Sequence, residues 1–323
     1  MAWLTWWRLV AACGAGTASM VPPSIGGDEP AEVDVDTAAD GDAVPPRDGG
    51  FAPEFAAYLE QRGWSDLVAS GGVGGGARPT DTEHDPVVFV HGNGDRAIGG
   101  ALGGWSAPMA AYAAAGWDEG LLFAATWGPG DPLLASQQDH DRANVLAVRR
   151  FLEAVLDYTE AAHIDVVAHS MGVTLARLAI AGGPMADDLG AYDVGDPLTD
   201  RVDAFVAIAG ANLGLASCWP TGGWVPTCGR VAGLWPGTRY GWAEVSGRSD
   251  VLEALRRRPG AEGARRFALW SRTDEILGVG ALVWGEVTAR LPEQTDEVIL
   301  SGVRHLETRD TTTAIQVGWL DAP

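Results

Sequence analysis

Ile164-Asp165-Val166-Val167-Ala168-His169-Ser170-Met171-Gly172 reads as a buried strand turning sharply into a helix, with one serine at the bend. That is the layout of a nucleophile elbow, in which the turn lifts a serine hydroxyl above the sheet edge and frees a backbone N–H just behind it. The residues two before and two after such a serine must be small, because the strand and helix backbones pass close together there. Ala168 and Gly172 meet that need, although the commoner pattern carries Gly at both places. The same stretch also fits a plain strand followed by a serine-capped helix. Its neighbours along the chain must decide.

Upstream, Val87-Val88-Phe89-Val90 is a continuous apolar run that ends in His91-Gly92-Asn93-Gly94, the pattern of a buried parallel strand followed by a glycine-rich loop. Trp105 to Ala115 has helical spacing, Leu121 to Thr126 reads as a strand, and Gln137 to Thr159 as a long amphipathic helix with Val145, Val148, Leu152, Val155 and Leu156 on one face. Downstream of the elbow helix, strands are expected at Ala204 to Ala209, Arg266 to Trp270 and Val298 to Leu300, with a final helix over Thr311 to Leu320. Alternation of this kind predicts an α/β fold, a mostly parallel sheet with helices on both faces.

The stretch from Gly210 to Gly263 breaks the alternation. It is rich in glycine and holds the aromatics Trp219, Trp224, Trp235, Tyr240 and Trp242. A loop-rich insertion at this point would sit over the C-terminal edge of the sheet, where ligands bind in open α/β folds. Cys218 and Cys228 fall within it and enclose a short Trp/Pro/Gly loop. A disulfide there would contribute roughly 3 kcal/mol by loop entropy; two buried free thiols fit the spacing as well.

The remaining organisation follows from composition. Residues 1–20 carry an apolar, Trp-rich stretch ending in Leu9-Val10-Ala11-Ala12-Cys13-Gly14, which resembles a lipoprotein-type export signal although Arg8 lies inside the apolar run. A misassigned start codon is the competing reading. Residues 21–82 are expected to form an acidic, proline-dotted tether with a short helix over Phe51 to Val68 and a flexible glycine break at Gly71 to Gly76. Residues 83–323 are the expected catalytic domain. The net charge is −21, and all 22 basic residues are arginine. Such an acidic surface suits a protein from strong salt, where screening relieves self-repulsion, and GC-rich codon usage would remove lysine equally. It argues against nucleic acid or anionic membranes as partners. No obligate protein partner is evident, no His/Cys/Asp cluster has metal-ligand spacing, and the glycine loop lacks a Gly-Lys-Ser/Thr ending, so neither a metal nor a nucleotide cofactor is expected.

A nucleophilic serine needs a general base and an acid that orients the base, and in a fold of this type they follow in the order Ser, Asp, His, each after a later strand. The Phe267–Trp270 run is followed by Ser271-Arg272-Thr273-Asp274-Glu275, and the Val298–Leu300 run by Ser301-Gly302-Val303-Arg304-His305. Ser170, Asp274 and His305 therefore stand in order as candidate nucleophile, acid and base. Asp274 could instead cap a helix, with Glu275 as a rival acid, and His305 could be an exposed loop residue. His91 and His169 flank the site and are expected to shape their turns by hydrogen bonding; Asp95 is expected to be a turn former. Two N–H donors must face the developing oxyanion. The candidates are the amides of Met171 and Asn93.

Val90–Asp95 (Val-His-Gly-Asn-Gly-Asp), Ala168–Val173 (Ala-His-Ser-Met-Gly-Val), Ala209–Gly214 (Ala-Gly-Ala-Asn-Leu-Gly), Pro226–Gly229 (Pro-Thr-Cys-Gly) and the closing Gly302–His305 and Thr311–Ile315 form an ordered series. The series resembles the α/β-hydrolase superfamily, and within it the extracellular polyhydroxybutyrate depolymerases and the related class 2 lipases. Those depolymerases also carry Ala in place of the first Gly of the serine motif. The resemblance implies a Ser170–Asp274–His305 triad, a Cys218–Cys228 bridge, and a serine hydrolase of carboxylic esters in lipid or aliphatic polyester, secreted or tethered to the cell surface. Around Trp219–Trp242 the residues depart from the family pattern, which weakens the polymer expectation but not the ester chemistry. A non-catalytic binding relative, or an intracellular (cytoplasmic) esterase or acyltransferase, are the competing expectations.

Overall fold

The computed structural model describes residues 49–76, 84–241 and 243–322. The segment expected to be an export signal, with Cys13, most of the acidic stretch and Trp242 lie outside the described residues. Seven strands form one sheet: β1 (Gly72–Val73), β2 (Val87–Val90), β3 (Leu122–Ala125), β4 (Ile164–His169), β7 (Val202–Ile208), β8 (Arg265–Ser271) and β11 (Asp296–Leu300), in the spatial order β1-β3-β2-β4-β7-β8-β11. Every neighbouring pair is parallel except β1 with β3. Two hairpins stand outside the sheet, β5–β6 (Pro184–Asp187 and Gly190–Asp193) and β9–β10 (Leu282–Val283 and Glu286–Val287). The central strands β2 and β4 are buried at every residue, as the unbroken apolar run of β2 requires.

Helices cover both faces. On one lie α1 (Pro53–Gln61), α4 (Arg142–Thr159), α5 (Met171–Ala181) and α7 (Asp250–Arg256); on the other α3 (Ser106–Ala114), α8 (His305–Asp310) and α9 (Thr313–Leu320). Among the described residues, two short helices complete the set, α2 (Ser65–Ser70) and α6 (Cys218–Thr221). The long amphipathic helix starts at Arg142 rather than Gln137, because Asp141 caps it by accepting from the Asn144 N–H at 2.9 Å, and residues 132–137 form a separate 3-10 turn.

The N-terminal part of the folded unit corrects the expectation of a tether up to residue 82. The helical spacing over Phe51 to Val68 becomes two helices, α1 and α2, and Phe55, Leu59 and Leu67 belong to the core. The glycine run is an edge strand rather than a flexible break. Gly72 and Val73 pair with Ala125 and Ala124, and the Thr126 N–H donates to the Gly71 oxygen at 2.8 Å. Glycine is there for closeness: a Cβ on Gly72 would lie 2.2 Å from the Phe51 ring and 2.4 Å from the Ala124 oxygen.

Asp165 interrupts the apolar run of β4 for a local reason. The β4–β7 register slips between Ile164 and Val166, leaving one extra residue on β7. The Ala204 N–H in that slip donates to Asp165 Oδ1 at 3.0 Å. Asp165 is buried, and its carboxylate lies within 4.8 Å of those of Asp85 and Asp203. Burial, reinforced by these two neighbours, pushes Asp165 up to about 8. The insertion from Gly210 to Gly263 is more ordered than its composition suggests, since α7 packs its buried Val251, Leu252 and Leu255 toward the elbow helix α5. Cys218 and Cys228 are bridged, with Cα atoms 5.1 Å apart.

Candidate active site

Ser170 stands between β4 and α5 with φ 56° and ψ −128°, a conformation that costs a non-glycine residue on the order of 1–3 kcal/mol. The surroundings over-determine it. The Ser170 N–H donates to the Ile208 oxygen on β7 at 2.8 Å, and the Val173 N–H closes the turn onto the Ser170 oxygen at 3.0 Å. Gly172 has no room for a side chain, because a Cβ there would lie 2.3 Å from the His91 oxygen and 2.6 Å from the Val90 oxygen. Ala168 is fully buried. The glycine two residues after the serine is thus required by the approach of β2 to the start of α5.

The structure joins Asp274 and His305 directly. His305 Nδ1 and Asp274 Oδ2 are 2.7 Å apart, both side chains are buried, and the other carboxylate oxygen of Asp274 accepts the Ile276 and Leu277 N–H groups at 2.8 Å each. Glu275, the rival acid, does not touch the ring; its carboxylate accepts the His305 backbone N–H at 3.0 Å. His305 opens α8, and its ring lies against that of His169, the residue immediately before Ser170, with centroids 4.7 Å apart.

His91 has both ring nitrogens engaged. Nδ1–H donates to the Gly92 oxygen at 2.8 Å, and Nε2 accepts the Trp127 N–H at 3.0 Å, with the indole stacked on the imidazole. This fixes a neutral tautomer, and burial lowers the group to about 4. His91 shapes its loop, as expected. Asp95 does more than make a turn: it accepts the Arg96 and Gly104 N–H groups at 2.8 and 3.1 Å and pairs with Arg309 in the buried interior. Burial raises Asp95, and the Arg309 guanidinium opposes that rise. Arg309 also reaches the Leu102 oxygen at 2.9 Å, so one buried ion pair ties the His305 helix to the loop that carries Asn93. Nothing in the sequence analysis pointed to Arg309. The available signal was its position four residues after His305, which puts both on one face of a helix.

Met171 is the first residue of α5, where backbone N–H groups have no intrahelical acceptor. Asn93 occupies the turn that the Asp95 N–H closes onto the Gly92 oxygen, and its side-chain amide donates to the Ala135 oxygen at 2.8 Å. The turn is packed against the elbow, since a Cβ on Gly92 would lie 2.9 Å from Ser170 Cβ.

The sequence from residue 84 to residue 318, well over half of the chain, matches the family model described as lipase (class 2). The chain belongs to the class 2 lipases. It is therefore an ester hydrolase with the α/β-hydrolase fold that its mostly parallel sheet displays. Among solved structures it is similar to lipase B of Aspergillus fumigatus, at 14% identity and TM-score 0.44, covering 76% of this chain and 56% of that one. An esterase from Rhodococcus sp. is 15% identical with TM-score 0.41, covering 75% of this chain and 92% of the other. A CIB-like hydrolase from Thermoplasma acidophilum is 14% identical with TM-score 0.41, at 75% and 89% coverage.

Around the sheet edge at which Ser170 stands in this class 2 lipase, three loops that follow β3, β7 and β8 expose large apolar side chains. Leu133 and Leu134 precede Ala135, the residue that holds Asn93; Trp219 and Trp224 both stand within the disulfide loop; Val279 and Leu282 follow the Asp274 loop. Trp219 meets Trp284 of the β9–β10 turn edge to face at 5.8 Å, and the Thr227 hydroxyl donates to the Ala135 oxygen, so the three loops touch. The insertion's aromatics divide: Trp224 is 91% exposed, whereas Trp235 is buried beneath the Arg230 guanidinium.

Proposed function

We propose that this chain hydrolyses carboxylic esters of lipid or aliphatic polyester through an acyl-enzyme on Ser170. The observation that carries the reading is the buried Asp274–His305 contact at 2.7 Å beside a serine held at φ 56°. Asp274 sets the tautomer: with Nδ1–H donating to the carboxylate, Nε2 of His305 bears the lone pair that takes the Ser170 proton. The Ser170 oxygen attacks the ester carbonyl, and the Met171 and Asn93 amides stabilise the resulting oxyanion. His305 then returns its proton to the departing alcohol. A water molecule, deprotonated by the same histidine, releases the acid and restores the serine.

The exposed apolar residues of the three loops support a water-insoluble or long-chain substrate, because contiguous apolar surface at a catalytic edge marks a binding region. The Cys218–Cys228 bridge supports an oxidising compartment, hence secretion or display at the cell surface. The charge of −21 without lysine supports function in high salt.

The test is Ser170→Ala. The variant should fold and lose hydrolysis of p-nitrophenyl butyrate and of longer acyl esters, while retained hydrolysis would sink the serine assignment. A panel of short and long acyl esters beside amorphous polyhydroxybutyrate, at low and high salt, ranks the substrate classes.

A further inference from the structure

We infer that His169 is a positioning residue for the general base, holding His305 by its main-chain oxygen from the position immediately before Ser170. The inference rests on the Ser170–Asp274–His305 reading and adds a part to it. His169 is buried, and its Nε2 lies 3.2 Å from the His305 carbonyl oxygen. A carbonyl oxygen only accepts, so Nε2 carries the proton and donates. Nδ1 is then a bare acceptor, buried and without a partner, directed at the seam where a Cβ on Gly92 would come within 3.0 Å.

An apolar side chain would fill this space without an unmet acceptor, which costs about 1–3 kcal/mol when buried. The imidazole is therefore the less stable choice for packing, and its one polar contact is with the base. That contact completes a three-point hold on His305. Asp274 takes the ring at 2.7 Å, Glu275 takes the backbone N–H at 3.0 Å, and His169 takes the backbone oxygen. The arrangement sets nucleophile and base from consecutive residues at the end of one strand, so their relative position does not depend on a flexible loop. α8 is only six residues long, and His305 is its first residue, so the hold acts at the end of the helix that carries the base.

The choice of donor also matters electrically. His305 becomes an imidazolium in the transition state, and the two rings are 4.7 Å apart. A lysine or arginine at position 169 would place a second positive charge there and oppose proton uptake. Burial, followed by the His305, Arg309 and His91 groups that face it, holds His169 well below the usual histidine range, so the donor stays uncharged. Glutamine is the natural side chain that can present an uncharged N–H at similar reach.

His169→Phe keeps an aromatic ring and removes the donor; His169→Gln keeps a donor. On soluble p-nitrophenyl butyrate, where the apolar loops contribute little, the Phe variant is expected to lose about 30-fold or more in kcat with KM within twofold, since a displacement of about 1 Å in a catalytic group costs on the order of 10²-fold. Fluorophosphonate labelling of Ser170 should slow in proportion. The Gln variant should recover at least tenfold of the loss. Equal impairment of the Phe and Gln variants at matched Tm, or wild-type kcat in the Phe variant, overturns the inference. If the Phe variant does not fold, His169→Met carries the same comparison. Activity surviving in Ser170→Ala defeats the catalytic reading itself, whereas an unaffected His169→Phe beside a dead Ser170→Ala defeats this inference alone.

Discussion

Asp165→Asn should make the protein more resistant to alkaline pH. The asparagine oxygen can still accept the Ala204 N–H in the β4–β7 slip, and the volume is unchanged, so the perturbation is confined to a charge. Burial, then the Asp85 and Asp203 carboxylates, raises Asp165 from 3.8 to about 8 in the folded chain. A carboxyl with a raised folded value stabilises fully below its unfolded value and loses that contribution as pH climbs through the folded one. Between pH 5 and pH 9 the loss from 3.8 versus 8 integrates to about 4 kcal/mol. For a chain of this size roughly 2 °C accompanies each kcal/mol, so the Tm difference between variant and wild type should widen by about 8 °C across that range. Thermal unfolding followed by circular dichroism at pH 5, 6, 7, 8 and 9 reads it out. Buried histidines such as His91 and His140, each lowered to about 4, affect both proteins alike, so subtraction isolates the one carboxylate. Two curves that stay parallel from pH 5 to pH 9 would refute the reasoning.

Gly172→Ala should cripple the elbow, because the new methyl meets two carbonyl oxygens of β2 at 2.3 and 2.6 Å; a loss of about 1–3 kcal/mol in urea unfolding and a collapse of esterase kcat are expected together. Asp95→Asn leaves Arg309 buried with only the partly exposed Asp310 as a full counter-charge, and should destabilise by about 3 kcal/mol, the lower end for a broken buried pair. The Asp95→Asn/Arg309→Met double variant, measured by the same denaturation, should be less destabilised than the sum of its singles; strict additivity would mean the pair does not couple.

The central architecture was legible because each signal was a buried apolar run bounded by glycine or a cap. β2, β4, β7, β8 and β11 all lie where their predominantly apolar runs put them. Asp274 and His305 were legible through order alone, each following its strand, and the structure joins them at 2.7 Å. What escaped depended on contacts between distant parts of the chain. Gly71–Gly76 reads as flexible until Phe51 and Phe55 are seen to occupy the space that side chains would take. Composition concealed α7 among glycines and arginines, although its buried valine and leucines have helical spacing. The Asp95–Arg309 pair joins residues 214 apart in sequence, and no local pattern announces it. His169 was correctly placed beside the site, but its partner is a backbone oxygen, a group that every residue has and no sequence marks.

β1 has a meaning for association that its two residues do not suggest. It is the outermost strand, paired antiparallel to β3, and beneath it Phe51, Phe55, Phe123, Phe151 and Tyr158 form one aromatic cluster. The family match begins at residue 84, so a chain trimmed to that boundary would shed β1, α1 and α2 together. The β3 backbone would then offer unpaired N–H and C=O groups beside a bare aromatic face, the combination that recruits another molecule edge to edge. The short N-terminal strap thus covers the β3 edge of the sheet, which the rest of the folded unit would leave open.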